Sequence, residues 1–257
     1  MSDSLNITLV QTDIIWMNNL ENLANLDKQL NDIKTDLIVL PEMFSTGFCL
    51  EPSKVAETMD GLSVLWMLKT AKKLNCAICG SLSIQEKNKY YNRFFFVTPS
   101  GIEATYDKKH LFSYGNENEA YTPGKKTTTI NYKGWKIKPF VCYDLRFPVW
   151  SRNTNNYDLA LYVANWPAKR SFPWNQLLTA RAIENMSYVV AVNRIGIDGN
   201  DLKYQGDSKV IDPLGETLID LKDSKTIKQI NIKINHLDKV REKFGFLRDR
   251  DEFKLKD

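Results

Sequence analysis

Pro139-Phe140-Val141-Cys142-Tyr143-Asp144-Leu145-Arg146-Phe147-Pro148 runs from an apolar strand straight into a polar turn, with a cysteine at the last strand position. A sheet fixes the backbone of such a cysteine while its sulfur can face a cleft. The chain holds only two histidines, His110 and His236, so a nucleophilic Cys142 needs a base other than the usual imidazole. Two other strand-like stretches end in ionisable residues: Leu37-Ile38-Val39-Leu40-Pro41-Glu42 and Ala104-Thr105-Tyr106-Asp107-Lys108.

Working outward, Leu5 to Gln11 forms a first strand. Leu20, Leu23, Leu26, Leu30 and Ile33 recur at three- and four-residue spacing and mark an amphipathic helix. A second helix spans Leu62 to Leu74 and leads into a strand from Cys76 to Ser83. Hairpins turn at Pro99-Ser100-Gly101, at Lys133-Gly134 and at Asp212-Pro213-Leu214-Gly215. The second half repeats the grammar: a strand from Tyr157 to Ala164, a helix from Trp174 to Tyr188 with Leu177, Leu178, Ala182 and Met186 inward, then strands at 188–193 and 227–234. β-α-β crossovers mixed with hairpins predict an α/β chain, a mixed sheet covered by helices. We expect a single domain over 1–257, with a core from about 5 to 235 and a tail from 236 to 257 that is helical, then charged and loose.

Lys and Arg number 35 against 31 Asp and Glu, a net charge of +4. The cations are scattered rather than gathered in a stripe, which argues against a nucleic-acid groove. No apolar run approaches the roughly 20 residues that span a bilayer, and the start lacks the pattern of a secretory signal. Four cysteines are too few for a disulfide scaffold, so a cytoplasmic location is expected. Cys76-Ala77-Ile78-Cys79 has redox-motif spacing, but its apolar setting places the pair on a buried strand.

Glu42, Lys108 and Cys142 each stand at a strand end, and each is costly to bury alone. Taken singly, Glu42 caps a turn, Lys108 is solvated and Cys142 is core. Brought together, a carboxylate can take a thiol proton while an ammonium stabilises a thiolate and a developing oxyanion. Such a thiolate should be labelled by alkylators faster than Cys49, Cys76 or Cys79.

Pro41-Glu42-Met43-Phe44-Ser45-Thr46-Gly47-Phe48, Tyr106-Asp107-Lys108-Lys109-His110-Leu111-Phe112 and Val141 to Pro148 closely resemble the three signature blocks of the nitrilase (carbon–nitrogen hydrolase) superfamily, in the family's order. The likeness runs from the first strand to about Leu221. It implies a four-layer α-β-β-α sandwich with two stacked mixed sheets, and a Glu–Lys–Cys triad at Glu42, Lys108 and Cys142. The motif Tyr-x-Lys-x-His-Leu-Phe selects Lys108 over Lys109. A further family glutamate falls on Glu117 by its spacing to Gly124, with Glu119 as the alternative. The backbone N–H of Tyr143 would serve the oxyanion. No metal or organic cofactor is implied, since the protein supplies both proton transfers.

Tyr162 to Arg170, Trp174, Leu178 to Asn185, Asn193-Arg194-Ile195-Gly196 and Tyr204 to Ser208 are similar to the bacterial ω-amidase group. That likeness implies hydrolysis of the terminal amide of 2-oxoglutaramate or 2-oxosuccinamate, chemistry that includes the last step of methionine salvage. Arg146, Arg170, Arg181 and Arg194 are the candidates for the substrate carboxylate, with Arg170 beside Trp166 preferred and Arg146 and Arg181 equally open to structural salt bridges. The alternatives are an N-carbamoyl-amine hydrolase, an aliphatic amidase, a nitrilase, or a catalytically silent binding module. The expected partner is a small-molecule amide, not a nucleic acid or membrane. The resemblance also implies a homodimer or higher homo-oligomer, paired through the helix from Trp174 to Tyr188 and the segment from Phe147 to Arg152.

Overall fold

The computed structural model describes residues 3–255. Strand β1 (Ser4–Gln11) leads through helix α1 (Asn19–Leu30) to β2 (Leu37–Val39), and the one-turn helix α2 (Pro52–Val55) precedes α3 (Leu62–Leu74). β3 (Ala77–Glu86), β4 (Lys89–Thr98) and β5 (Gly101–Asp107) form a meander. The second half opens with the short α4 (Glu117–Ala120) and the hairpin β6 (Ile130–Tyr132) to β7 (Trp135–Val141). Then come α5 (Pro148–Ser151), β8 (Leu159–Ala164), α6 (Ser171–Asn185) and β9 (Tyr188–Asn193). Two hairpins follow, β10 (Ile195–Ile197) with β11 (Lys203–Gln205) and β12 (Lys209–Ile211) with β13 (Thr217–Asp220), before β14 (Thr226–Lys233) and α7 (Ile234–Phe244).

Two six-stranded sheets result, in the orders β14-β1-β2-β3-β4-β5 and β13-β12-β9-β8-β7-β6. Each has a parallel core, β1-β2-β3 or β7-β8-β9, with antiparallel strands on its flanks. The repeated grammar of the two halves is therefore real, and each half builds one sheet except for β14, which returns to the first.

Alternation along the strands sorts the layers. Leu5, Ile7 and Leu9 of β1, Leu37 and Val39 of β2, and Phe94 and Phe96 of β4 join the second sheet's Ile137, Leu159 and Leu161 in one core. Their neighbours Val10, Ile38, Phe95 and Val97 face the other way, against Leu23, Leu26 and Leu30 of α1 and Trp66 and Met67 of α3. Trp174, Leu178 and Ala182 of α6 and Leu237 of α7 cover the second sheet's outer face. The order is α-β-β-α, the sandwich that the sequence implied. Cys76 and Cys79 fall in opposite cores, and all four cysteines are free thiols.

Several local expectations change. Leu20 is exposed, because Asn22 occupies the inward position of the first turn of α1. Its amide bonds the carbonyls of Ile15 and Ser45 and accepts from the Ile15 N–H. Ile33 lies beyond α1, which ends at Leu30. Helix α6 stops at Asn185, and Met186 reverses the chain with φ of 43° instead of continuing the inward stripe. The region from His236 is helical as expected but packs into the core: Leu237 and Val240 of α7 are buried, and the Arg241 guanidinium binds Asp158 and the carbonyls of Tyr157 and Met186. The core therefore extends to about Phe244. The β10–β11 hairpin went unread because its strands are three residues each and carry no apolar run.

Candidate active site

The carboxyl ends of parallel strands are where α/β sheets leave room for ligands. Glu42 lies in the turn just beyond β2, Cys142 directly follows β7, and Asn165 directly follows β8. Lys108 arrives from the antiparallel strand β5, one residue past its end. The strand β7 closes at Val141, so Cys142 is not its last residue but the first of a 3-10 turn running to Arg146. Its φ of 46° explains why the strand cannot include it. A non-glycine residue there is strained by about 1–3 kcal/mol, which the surroundings must hold in place.

The structure brings the sequence candidates together. Lys108 Nζ stands 2.9 Å from Glu42 Oε1 and 2.9 Å from each carboxylate oxygen of Glu117. All three side chains are buried, as is Cys142. Glu119, the alternative to Glu117, is exposed. Glu117 Oε2 also accepts from the Phe112 N–H at 2.6 Å. Lys109 is half-buried, its ammonium over the Trp150 ring on the other side of the turn.

Two asparagines that sequence reasoning missed complete the frame. Asn92 Nδ2 donates to Glu42 Oε1 at 2.7 Å and to Glu117 Oε1 at 3.3 Å. The Asn165 backbone N–H donates to Glu42 Oε2 at 2.7 Å, and its side chain donates to the Glu42 carbonyl at 2.5 Å. The signal for Asn92 was a lone amide opening the aromatic run Phe94-Phe95-Phe96 inside a buried strand. Both oxygens of Glu42 are thus aimed by fixed donors.

The cluster sets one ammonium against two carboxylates. Burial opposes the Lys108 ammonium, but Glu117 and Glu42 prevail and hold its pKa above the ordinary lysine value. Burial pushes the Glu117 carboxyl up, against the pull of Lys108. Burial, and then Glu42, drive the Cys142 thiol well above its usual range, although Lys108 pulls it down. Burial and Glu42 thus work against the low-pKa thiolate expected from the sequence, and Glu42 stands beside the thiol to receive its proton. Cys49, Cys76 and Cys79 are raised by burial too.

A cavity of about 270 Å³ opens on this cluster, lined by Lys108, Cys142 and Tyr143, by Phe48, Phe112, Trp166 and Tyr204, and by Arg146 and Arg170. Tyr143 sits in the first turn after β7, where leading N–H groups have no partner inside the turn. Trp166 walls the cavity and is also packed, at 5.3 Å from the Trp174 ring. Its indole N–H donates to the Arg170 carbonyl at 2.6 Å.

The four arginines separate cleanly. Arg181 binds the Leu145 carbonyl and Glu184, and Arg194 binds Asp13 and the Ile14 carbonyl, so both serve the scaffold. Arg146 lies over the Trp166 ring at 5.1 Å and Arg170 over the Phe112 ring at 4.9 Å. Neither has a carboxylate partner among the described residues. Arg146 therefore lines the cavity instead of forming the salt bridge that its sequence position left open.

The carbon–nitrogen hydrolase family model matches residues 6–242. The chain is 48% identical over 254 residues to the omega-amidase YafV of Escherichia coli (strain K12), covering 98% of each protein. It is 32% identical over 243 residues to the 2-oxoglutaramate amidase of Bacillus subtilis (strain 168), covering 92% of this chain and 93% of that one. The crystal structure of XC1258 from Xanthomonas campestris, a CN-hydrolase superfamily protein with an arsenic adduct in its active site, superposes with a TM-score of 0.97 at 40% identity, over 99% of this chain and 100% of the other. With the motif order, the stacked sheets and the buried Glu–Lys–Cys cluster in agreement, this chain belongs to the carbon–nitrogen hydrolase family.

Proposed function

We propose that this amidohydrolase is an ω-amidase, releasing ammonia from the terminal amide of short α-keto acid amides such as 2-oxoglutaramate and 2-oxosuccinamate. The observation that carries the reading is a cavity whose lining joins Cys142 and Lys108 with two guanidiniums, Arg146 and Arg170, that have no carboxylate partner among the described residues, while the lining carboxylate Asp198 is engaged by the Tyr204 hydroxyl and two backbone N–H groups. An amide to be attacked and an anionic head to be held match those two demands. The names and near-full-length similarity of the Escherichia coli and Bacillus subtilis relatives support the same substrate class.

The chemistry is acyl transfer. Glu42 takes the Cys142 proton as sulfur attacks the amide carbon. The ammonium of Lys108 and the Tyr143 N–H receive the oxyanion, a contribution of about 10²–10³ in rate per preorganised donor. Glu42 returns the proton to nitrogen, ammonia leaves, and a thioester remains on Cys142. Water activated by Glu42 then releases the acid and restores the thiol. Glu117 keeps Lys108 charged and in place throughout.

Glutamine and asparagine should be poor substrates, because an α-ammonium would enter a water-poor cavity beside two arginines. Arg170→Ala should raise KM for 2-oxoglutaramate by about 10- to 100-fold, from the 1.5–3 kcal/mol of a charged hydrogen-bonded contact. KM for an uncharged short amide should move much less. A panel of 2-oxoglutaramate, 2-oxosuccinamate, glutamine, a nitrile and an N-carbamoyl compound, read by ammonia release, checks this. Glutamine matching 2-oxoglutaramate in kcat/KM, or a nitrile exceeding both, would remove the ω-amidase reading.

We also propose a homodimer through α6 and the 147–152 segment. Val149, Phe172 and Ile183 on those segments leave large apolar surfaces exposed. Light scattering at micromolar concentration should give about twice the chain mass of 29.7 kDa, and a value near the chain mass would refute the pairing. No helix among the described residues is long and apolar enough to cross a membrane. Four free thiols fit our placement of the enzyme in a reducing cytoplasm.

A further inference from the structure

Asp144 is fully buried two residues after Cys142. Its Oδ2 accepts from the Val141 N–H at 3.0 Å and the Tyr106 hydroxyl at 2.7 Å. Its Oδ1 accepts from the His110 N–H at 3.0 Å and lies 2.8 Å from His110 Nδ1. The His110 ring is stacked on Phe147, at 3.7 Å between centroids and 6° between planes. One carboxylate thus joins the residue before Cys142 to a residue two past Lys108. The two segments otherwise belong to different sheets.

We infer that Asp144, with His110, is a positioning device for the reaction: it clamps the left-handed Cys142 turn and sets the spacing between the sulfur and the Lys108 ammonium. The inference rests on Cys142 being the nucleophile. The chemistry demands a carboxylate, since backbone N–H groups press on both of its oxygens. An asparagine of the same shape has one oxygen and one NH₂ group. The His110 ring can change tautomer to suit an amide, but the Tyr106 hydroxyl already accepts from the Lys109 N–H at 3.2 Å and the Trp150 indole N–H at 3.0 Å, and the N–H of Val141 and that of His110 cannot turn. In either orientation of an asparagine, one backbone donor faces another donor, and the Cys142 turn or the His110 segment must shift. A displacement of about 1 Å between reacting groups can reduce the rate by about 10²-fold.

The test compares Asp144→Asn, His110→Ala and His110→Asn with wild type, using ammonia release from 2-oxoglutaramate and iodoacetamide labelling of Cys142 followed by peptide mass. Asp144→Asn should lower kcat by about 100-fold with KM within about threefold, and should slow Cys142 labelling. His110→Ala should lower kcat by about 10-fold, and His110→Asn, whose side-chain N–H can stand in for Nδ1, should recover most of it. Tyr157→Phe removes a fully buried hydroxyl that donates to the Ser151 carbonyl at 2.6 Å, away from the site, and serves as the stability control. A kcat for Asp144→Asn within threefold of wild type overturns the proposal. So does a loss equal to that of Tyr157→Phe at matched melting temperature. If Asp144→Asn is recovered only as aggregate, the His110 pair decides: equal activities of the alanine and asparagine variants count as refutation. Activity retained by Cys142→Ala would instead remove the nucleophile assignment, whatever Asp144 does.

Discussion

Cys142→Ala should lose turnover by about 10⁴-fold or more, as enzymes do when a nucleophile that acts as part of a unit is removed. The fold should survive, because alanine replaces a small side chain and the turn is held by Asp144 and Arg181 instead of by the sulfur. Iodoacetamide should reach Cys142 ahead of Cys76 and Cys79, because Cys142 opens on the cavity while those two lie inside the cores. Access, and not a low thiol pKa, produces that order. With burial and Glu42 holding the thiol high and Lys108 only partly offsetting them, labelling should keep rising through alkaline pH instead of levelling near neutrality. Ammonia release undiminished in Cys142→Ala would end this mechanism. A labelling plateau at neutral pH would show a thiolate in the resting enzyme.

Lys108→Met should damage the enzyme in two ways. It removes the oxyanion cation, so acyl-enzyme formation should fall by about 10²- to 10³-fold. It also strands Glu42 and Glu117 as two buried carboxylates sharing one space. Breaking a buried ion pair from one side destabilises by about 3–5 kcal/mol, so the melting temperature should drop as well. Lowering the pH should recover part of that stability but none of the activity, because protonation relieves the two acids without restoring a cation. Lys109→Met should keep most activity and stability, since its ammonium lies over Trp150, outside the cluster. Equal losses at the two positions would mean that both lysines act at the site. Burst kinetics and thermal unfolding of the two variants, side by side, give the comparison.

The fold was legible wherever apolar periodicity was long. Helix α3 and the strand β9 fall where the pattern put them, and the hairpins turn at the glycines and prolines that mark them. The misses have a common cause. Leu20, Met186 and the packing of α7 against the core depend on polar contacts made across the fold: Asn22 to Ser45, the carbonyl of Met186 to Arg241, and Arg241 to Asp158. A window of sequence contains only one partner of each. The site shows the same division. Glu42, Lys108 and Cys142 stand out because ionisable groups at strand ends are chemically conspicuous, and motif order then links them. Asn92, Asn165 and Asp144 hold the triad in place through hydrogen bonds to residues far along the chain, Asn92 to Glu42 and Glu117, Asn165 to Glu42, and Asp144 to Tyr106 and His110. An isolated asparagine in a strand gives little sign of that. Arg146 became interpretable only when its lack of a carboxylate partner could be seen.

β14 has a temporal consequence. It pairs along the whole length of β1, from Ser4 with Lys233 to Gln11 with Thr226. β1 therefore waits for β14, with its outer edge open until residue 233 has been synthesised. Synthesis at about 5–20 residues per second leaves that edge unpaired for roughly ten seconds or more. An unpaired edge is a template for association with other chains. The growing chain meets this hazard in its N-terminal half, the half that carries Glu42 and Lys108. Truncation before Thr226 would make the interval permanent, and such a chain should accumulate as aggregate and not as a weakened enzyme.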